Sequence, residues 1–187
     1  MPRRPERLYQ ARFDEHFQFT TSQNVTPDGF TGLKFPRADQ SNRAEHRLGR
    51  FVREVSEEVH IKSPNDAAQH LLTKVYVPFK DFDQEELWVL LLDNKLRVTH
   101  EAMVYRGTVN AVSIRQAELL KEAVRVNSPS LILSHIHPSG DPTPSPEDVQ
   151  VTRQVNEAAK LLGIDLVDHI IVGKDNWVSL KQRGLGF

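Results

Sequence analysis

The spacing of apolar residues divides the chain into two parts. Residues 18–42, QFTTSQNVTPDGFTGLKFPRADQSN, mix polar, Gly and Pro residues without a sustained period, which predicts an extended arm or an irregular wrap. In RAEHRLGRFVREVSEEVH (43–60), Leu48, Phe51, Val52, Val55 and Val59 recur at helical spacing and predict an amphipathic helix with one buried face. Its Arg-rich outer side reads either as a nucleic-acid face or as a solvated one, and the solvated reading is favoured. Residues 1–60 are thus expected to form an irregular plus helical N-terminal extension.

From Ser63 to the end, 63–187, apolar runs alternate with punctuated helices. SPND starts a helix, with Ser63 as N-cap, Pro64 at the first position and Asp66 closing the capping box. Ala67, Leu71, Leu72 and Val75 continue it. EELWVLLLD is a short apolar run ended by Asp93-Asn94-Lys95, hence a buried strand, and LRVTHEAMVYRG returns antiparallel to it. Ser113 with Gln116 predicts a second capping box, opening a helix to about Val126. SLILSHIH is a third strand. Ser145 opens a helix that runs to Leu162 and stops at Gly163. IDLVDHIIVG and WVSL, joined through Lys174-Asp175-Asn176, complete a fourth and a fifth strand. Hairpins interleaved with helices predict an α/β chain of the α+β type, one mixed sheet flanked by helices.

Composition narrows the chemistry. The chain has 187 residues, enough for one domain and an extension. A net charge of -1 gives no global attraction for nucleic acid or an anionic membrane. The chain has no cysteine, which excludes disulfides, thiolate nucleophiles and Cys-ligated metal. No apolar run approaches the ~20 residues that span a bilayer. The basic N-terminus lacks an apolar segment behind it, so a cytoplasmic protein is expected.

Candidate chemistry concentrates in SHIHPSGDPTPSPED (134–148). His135 and His137 are two apart on a predicted strand, so both imidazoles leave the sheet on one face at its C-terminal end. Pro138, Gly140, Pro142 and Pro144 stiffen a loop short enough to bring the next helix beside them. Asp148 lies in that helix's first turn. Two neutral imidazoles and a carboxylate suit zinc, with a fourth position for water; manganese or iron also fits by ligand type. Ser145 and Asp148 are equally a plain capping box, and the two readings are compatible.

His135-x-His137-Pro138, six residues, Ser145, two residues, Asp148 resembles the zinc signature of the JAMM metalloprotease family. The full stretch, with LVDHIIVG (166–173), Glu85-Glu86-Leu87-Trp88-Val89-Leu90, Leu92-Asp93 and Arg106-Gly107-Thr108, resembles its RadC-like branch over about residues 63 to 182. The resemblance implies a JAB/MPN-like (cytidine-deaminase-like) sheet, one zinc per chain on His135, His137 and Asp148, and Glu85 as general acid/base on the zinc-activated water. Strand alternation keeps Glu86 from facing the same site. Ser145 resembles the serine that bonds the developing oxyanion. RadC-like proteins often carry a helix-hairpin-helix module upstream, and residues 1 to 60 show no such pattern.

The function expected is a zinc-dependent metallohydrolase, a peptidase or isopeptidase acting on a peptide or protein conjugate, with a small-molecule amide as plausible. A DNA-processing zinc nuclease is the alternative, disfavoured by Asp141, Glu147 and Asp148 around the motif. A scaffold without catalysis comes third. No membrane partner is expected, nucleic acid is possible but not favoured, and a homodimer stays open. Other polar residues get plainer readings. Glu101 and Glu118 are further candidates for the general acid/base, but neither stands at the motif position, and their plainer reading is surface charge. His169 is read as a hydrogen-bonded core histidine before a partner of a metal ligand. Trp88 and Trp177 are read as core, and Ser134 either lines the site or ends its strand.

Overall fold

A computed structural model of the chain describes residues 51–107 and 114–187. Six strands form one mixed sheet in the order β1-β3-β2-β4-β5-β6. These are β1 (Phe51–Glu54), β2 (Glu85–Leu92), β3 (Val98–Gly107), β4 (Ser130–Ile136), β5 (Asp165–Val172) and β6 (Trp177–Ser179). β4 and β5 run parallel, and every other neighbouring pair is antiparallel. The helices are α1 (Pro64–His70), continued by a π turn through Val75, α2 (Gln116–Arg125) and α3 (Pro146–Leu161).

β2 and β4 are buried along nearly their whole length, which explains why both read as continuous apolar runs rather than as alternating ones. Their side chains still alternate. Leu87, Val89, Leu91, Leu131 and Leu133 meet Leu119, Leu120 and Ala123 of α2 and Val151, Val155 and Ala159 of α3 on one face. Trp88, Leu90, Ile132, Ile136 and Ile170 meet Ala67, Ala68, Leu71 and Tyr76 on the other. The sheet is therefore the middle layer, with α1 on one side and α2 and α3 on the opposite side. Because β4 and β5 are parallel, the connection between them must cross over the sheet, and α3 is that crossover.

Two expected elements are corrected. Residues 51–54 form an edge strand, not part of a helix: Phe51 pairs with Met103 and Glu54 with His100. Residues 55–60 are not helical either, and His60 bridges to Arg97; the remainder, 43–50, lies outside the described residues. β3 is ten residues long and would otherwise expose a free edge beyond β2, and a segment of four residues is too short for its spacing to separate a helix from a strand. The sheet thus takes one strand from the segment assigned to the extension. α2 starts at Gln116 with Arg115 as its N-cap and no side-chain cap. Gln116 Nε2 donates instead to Gln154 Oε1 on α3 at 2.8 Å, so the helix pair replaces the expected box. Ser113 lies outside the described residues. By contrast, Ser63 with Asp66 and Ser145 with Asp148 form the predicted boxes. Among the described residues, no helix is long and apolar enough to cross a membrane.

Candidate metal centre

β4 delivers His135 and then hands the chain to the proline-rich loop, which returns it to the start of α3. The loop is pinned onto the end of β5. His137 N donates to Val172 O at 2.9 Å and Lys174 N to Gly140 O at 3.1 Å. Gly173 permits that approach, since a Cβ there would lie 2.4 Å from Gly140 O.

Three ligand atoms, one each from His135, His137 and Asp148, lie within 4.8 Å of one another. The two Nε2 atoms are 2.9 Å apart. Asp148 Oδ1 is 3.1 Å from His135 Nε2, and Oδ2 is 3.7 Å from His137 Nε2. His135 is 0% exposed and Asp148 2%. His137 Nδ1 lies 2.7 Å from the backbone carbonyl of Asp141. A carbonyl only accepts, so Nδ1 carries the ring proton and Nε2 turns a lone pair inward. Ring nitrogens this close to each other and to a carboxylate need a cation among them, either a proton or a metal ion. The donor set fits a divalent metal.

Asp148 serves the helix and the cluster together. Ser145 N and Ser145 Oγ both donate to Oδ2 at 2.7 Å, while Oδ1 faces His135. Burial works to raise the Asp148 pKa, but the bonds with His135 and Ser145 outweigh it and hold the carboxyl well below the usual range. Ser145 is thus a cap whose hydroxyl proton rests on Asp148.

Glu85 opens β2 and is half-buried. Leu87 pairs with His135 across β2 and β4, so Glu85, two residues earlier, lies on the His135 face and toward His137. It shares a cavity of about 250 Å³ with Asp83, Gln84, Gly107 and Pro138. Glu86 is on the opposite face, where its Oε2 accepts from Trp88 Nε1 at 2.9 Å. Ser134 also faces away, accepting from the Tyr76 hydroxyl at 3.2 Å.

Glu101 is no surface charge. It is 1% exposed and pairs with Arg53 and with His70 Nε2, the latter at 2.5 Å. It stands opposite Leu90 on β2, hence on the α1 side, away from the histidines. Glu118 is half-buried on α2.

His169 is where sequence reasoning fell short. It is completely buried, and its Nε2 lies 2.9 Å from His135 Nδ1, while its Nδ1 lies 2.6 Å from Thr152 Oγ1. Burial, and after it the neighbouring His135, push its pKa well below the ordinary value. It is both a core histidine and the partner of a candidate ligand. Thr152 carried a legible signal, since it follows Asp148 by four residues and so lies on the same helix face.

Residues 61–185 match the model of the RadC-like JAB domain. The chain belongs to the RadC-like JAB family. A UPF0758 protein of Roseiflexus castenholzii is 49% identical over 131 residues, covering 70% of this chain and 54% of the relative. One from Chloroflexus aurantiacus is 48% identical over 141 residues, 75% of this chain and 59% of the relative. One from Clostridium beijerinckii is 38% identical over 156 residues, 82% and 66%. The chain thus spans a little over half the length of the first two relatives.

Proposed function

We propose that this RadC-like JAB domain is a zinc-dependent metallohydrolase that cleaves an amide bond, in a peptide or an isopeptide-linked protein conjugate. The observation that carries this reading is the convergence of His135 Nε2, His137 Nε2 and an Asp148 oxygen at the buried end of β4. Two imidazoles and a carboxylate suit one zinc per chain, with a position left for water and substrate. When bound there, zinc would supply Lewis acidity, polarising the scissile carbonyl and lowering the pKa of water to about 7.

The chain's own residues would do the rest. Glu85 takes the proton of the attacking water and passes it to the leaving amine, since it shares the sheet face of the histidines. Asp141, through its carbonyl, keeps the His137 ring oriented. Ser145 would stabilise the developing oxyanion by turning its hydroxyl away from Asp148 Oδ2.

Phosphodiester hydrolysis is the weaker reading. Asp83, Asp141 and Glu147 accompany the ligands, and Arg106 is bonded to Asp83 at 2.8 Å. A nucleic-acid site wants cations placed to neutralise phosphates. The test is to offer zinc-loaded protein a mixed peptide library, an isopeptide-linked conjugate and single-stranded DNA, each beside Glu85→Gln. Amide cleavage lost in Glu85→Gln is the expected result. Cleavage of DNA alone would replace the peptidase reading with the nuclease one.

A further inference from the structure

The contacts behind His135 can be followed proton by proton. Thr152 Oγ1 lies 2.6 Å from the carbonyl oxygen of Asp148. Two oxygens that close share a proton, and the carbonyl has none, so the hydroxyl donates there. Thr152 Oγ1 is also 2.6 Å from His169 Nδ1. With its one proton committed, the oxygen can only accept, so His169 holds its proton at Nδ1. The two ring nitrogens of His169 meet Thr152 and His135, neither of them an anion, in a fully buried position. The ring therefore keeps a single proton, and Nε2 is bare. His135 Nδ1, 2.9 Å from it, must donate. A neutral His135 then has only a lone pair at Nε2, beside Asp148 Oδ1 and His137 Nε2.

We infer that Thr152 and His169 are positioning residues that fix His135 as its Nδ1–H tautomer and thereby aim a bare Nε2 at the cation position. The inference rests on the metal-site reading above. The chain of bonds begins at the backbone carbonyl of Asp148 and ends at His135 Nδ1, so the first turn of α3 sets the ring from behind. The opposite tautomer would place an N–H where the ligand lone pair belongs. Thr152 is itself held from behind: the C-terminal tail passes so near that a Cβ on Gly186 would lie 2.7 Å from Thr152 Cβ. A valine at 152 keeps the shape and removes only the hydroxyl, whereas a serine keeps the hydroxyl.

The test combines two readouts on wild type, Thr152→Val and Thr152→Ser. Long-range nitrogen-15 NMR of the metal-stripped protein near pH 8 reports where each imidazole carries its proton. Competition with a chromogenic chelator gives the zinc affinity. We expect His135 and His169 both to be Nδ1–H in wild type. Thr152→Val should mix the His135 tautomers and weaken zinc about 10–100-fold, and Thr152→Ser should restore both. Wild-type His135 without a proton at Nδ1 would overturn the inference, as would Thr152→Val with unchanged tautomer and affinity. Should Thr152→Val fail to fold, the wild-type spectrum alone decides. A wild type that binds no zinc would sink the metal reading, while the tautomers still judge the relay separately.

Discussion

The Ser145 hydroxyl lies 2.7 Å from Asp148 Oδ2, on the carboxylate whose other oxygen lies 3.1 Å from His135 Nε2. One side chain thus closes the helix start and completes the ligand cluster. The geometry that closes the cap on Oδ2 leaves Oδ1 turned toward His135.

That sharing makes Ser145→Ala informative. Loss of an N-cap hydroxyl costs about 1 kcal/mol, readable by urea unfolding of the metal-stripped protein. If Ser145 also meets the oxyanion, turnover falls by ~10²-fold or more, far beyond what that stability loss explains. Equal turnover in Ser145→Ala and wild type would restrict Ser145 to the cap.

The depressed pKa of Asp148 sets a pH dependence. Its folded value lies below the unfolded one, near ~3.9, so ionised Asp148 contributes stability above that pH. The contribution fades as pH drops below about 4. Metal-stripped wild type should therefore lose stability more steeply than Asp148→Asn on acidification, measured as Tm against pH. Parallel curves would show that Asp148 contributes no such term.

Glu101 predicts an effect on the other face of the sheet. Its pair with Arg53 fastens β1 to β3, and its pair with His70 fastens α1 to β3. Removing one partner of a buried pair costs roughly 3–5 kcal/mol. Glu101→Ala should lower stability accordingly and speed amide exchange at residues 51–54. Zinc affinity should hold, because Glu101 faces α1. Loss of zinc binding in a folded Glu101→Ala protein would contradict that separation.

Gly173 tests the loop. An added Cβ would lie 2.4 Å from Gly140 O and 2.8 Å from Pro142 Cδ, so Gly173→Ala must lift the loop that presents the Asp141 carbonyl to His137. Zinc affinity should fall while the sheet stays folded, checked by chelator competition alongside far-UV circular dichroism. Wild-type affinity would mean that the loop does not orient His137.

The sequence made the local parts of this arrangement legible. Alternation placed His135 and His137 on one face, and the Ser-x-x-Asp spacing placed Asp148 at the helix start, because both rules concern residues close in the chain. The partner of His135 was harder to read. His169 is 34 residues from His135, and only the parallel pairing of β4 with β5 brings the two together. The error at residues 51–54 has the same origin. Local spacing suited a helix, but the open edge of β3 and the buried Glu101, reached by Arg53, favour a strand. Glu101 itself looked like surface charge because nothing in its strand shows that His70 and Arg53 converge on it.

The central claim is that the His135, His137 and Asp148 cluster holds a metal ion, and metal content tests it most directly. Mass spectrometry should find about one zinc per chain in wild type dialysed after zinc loading, and almost none in His137→Ala that remains folded. A folded wild type that retains no metal would contradict the account and reduce the cluster to a strand end and a helix cap.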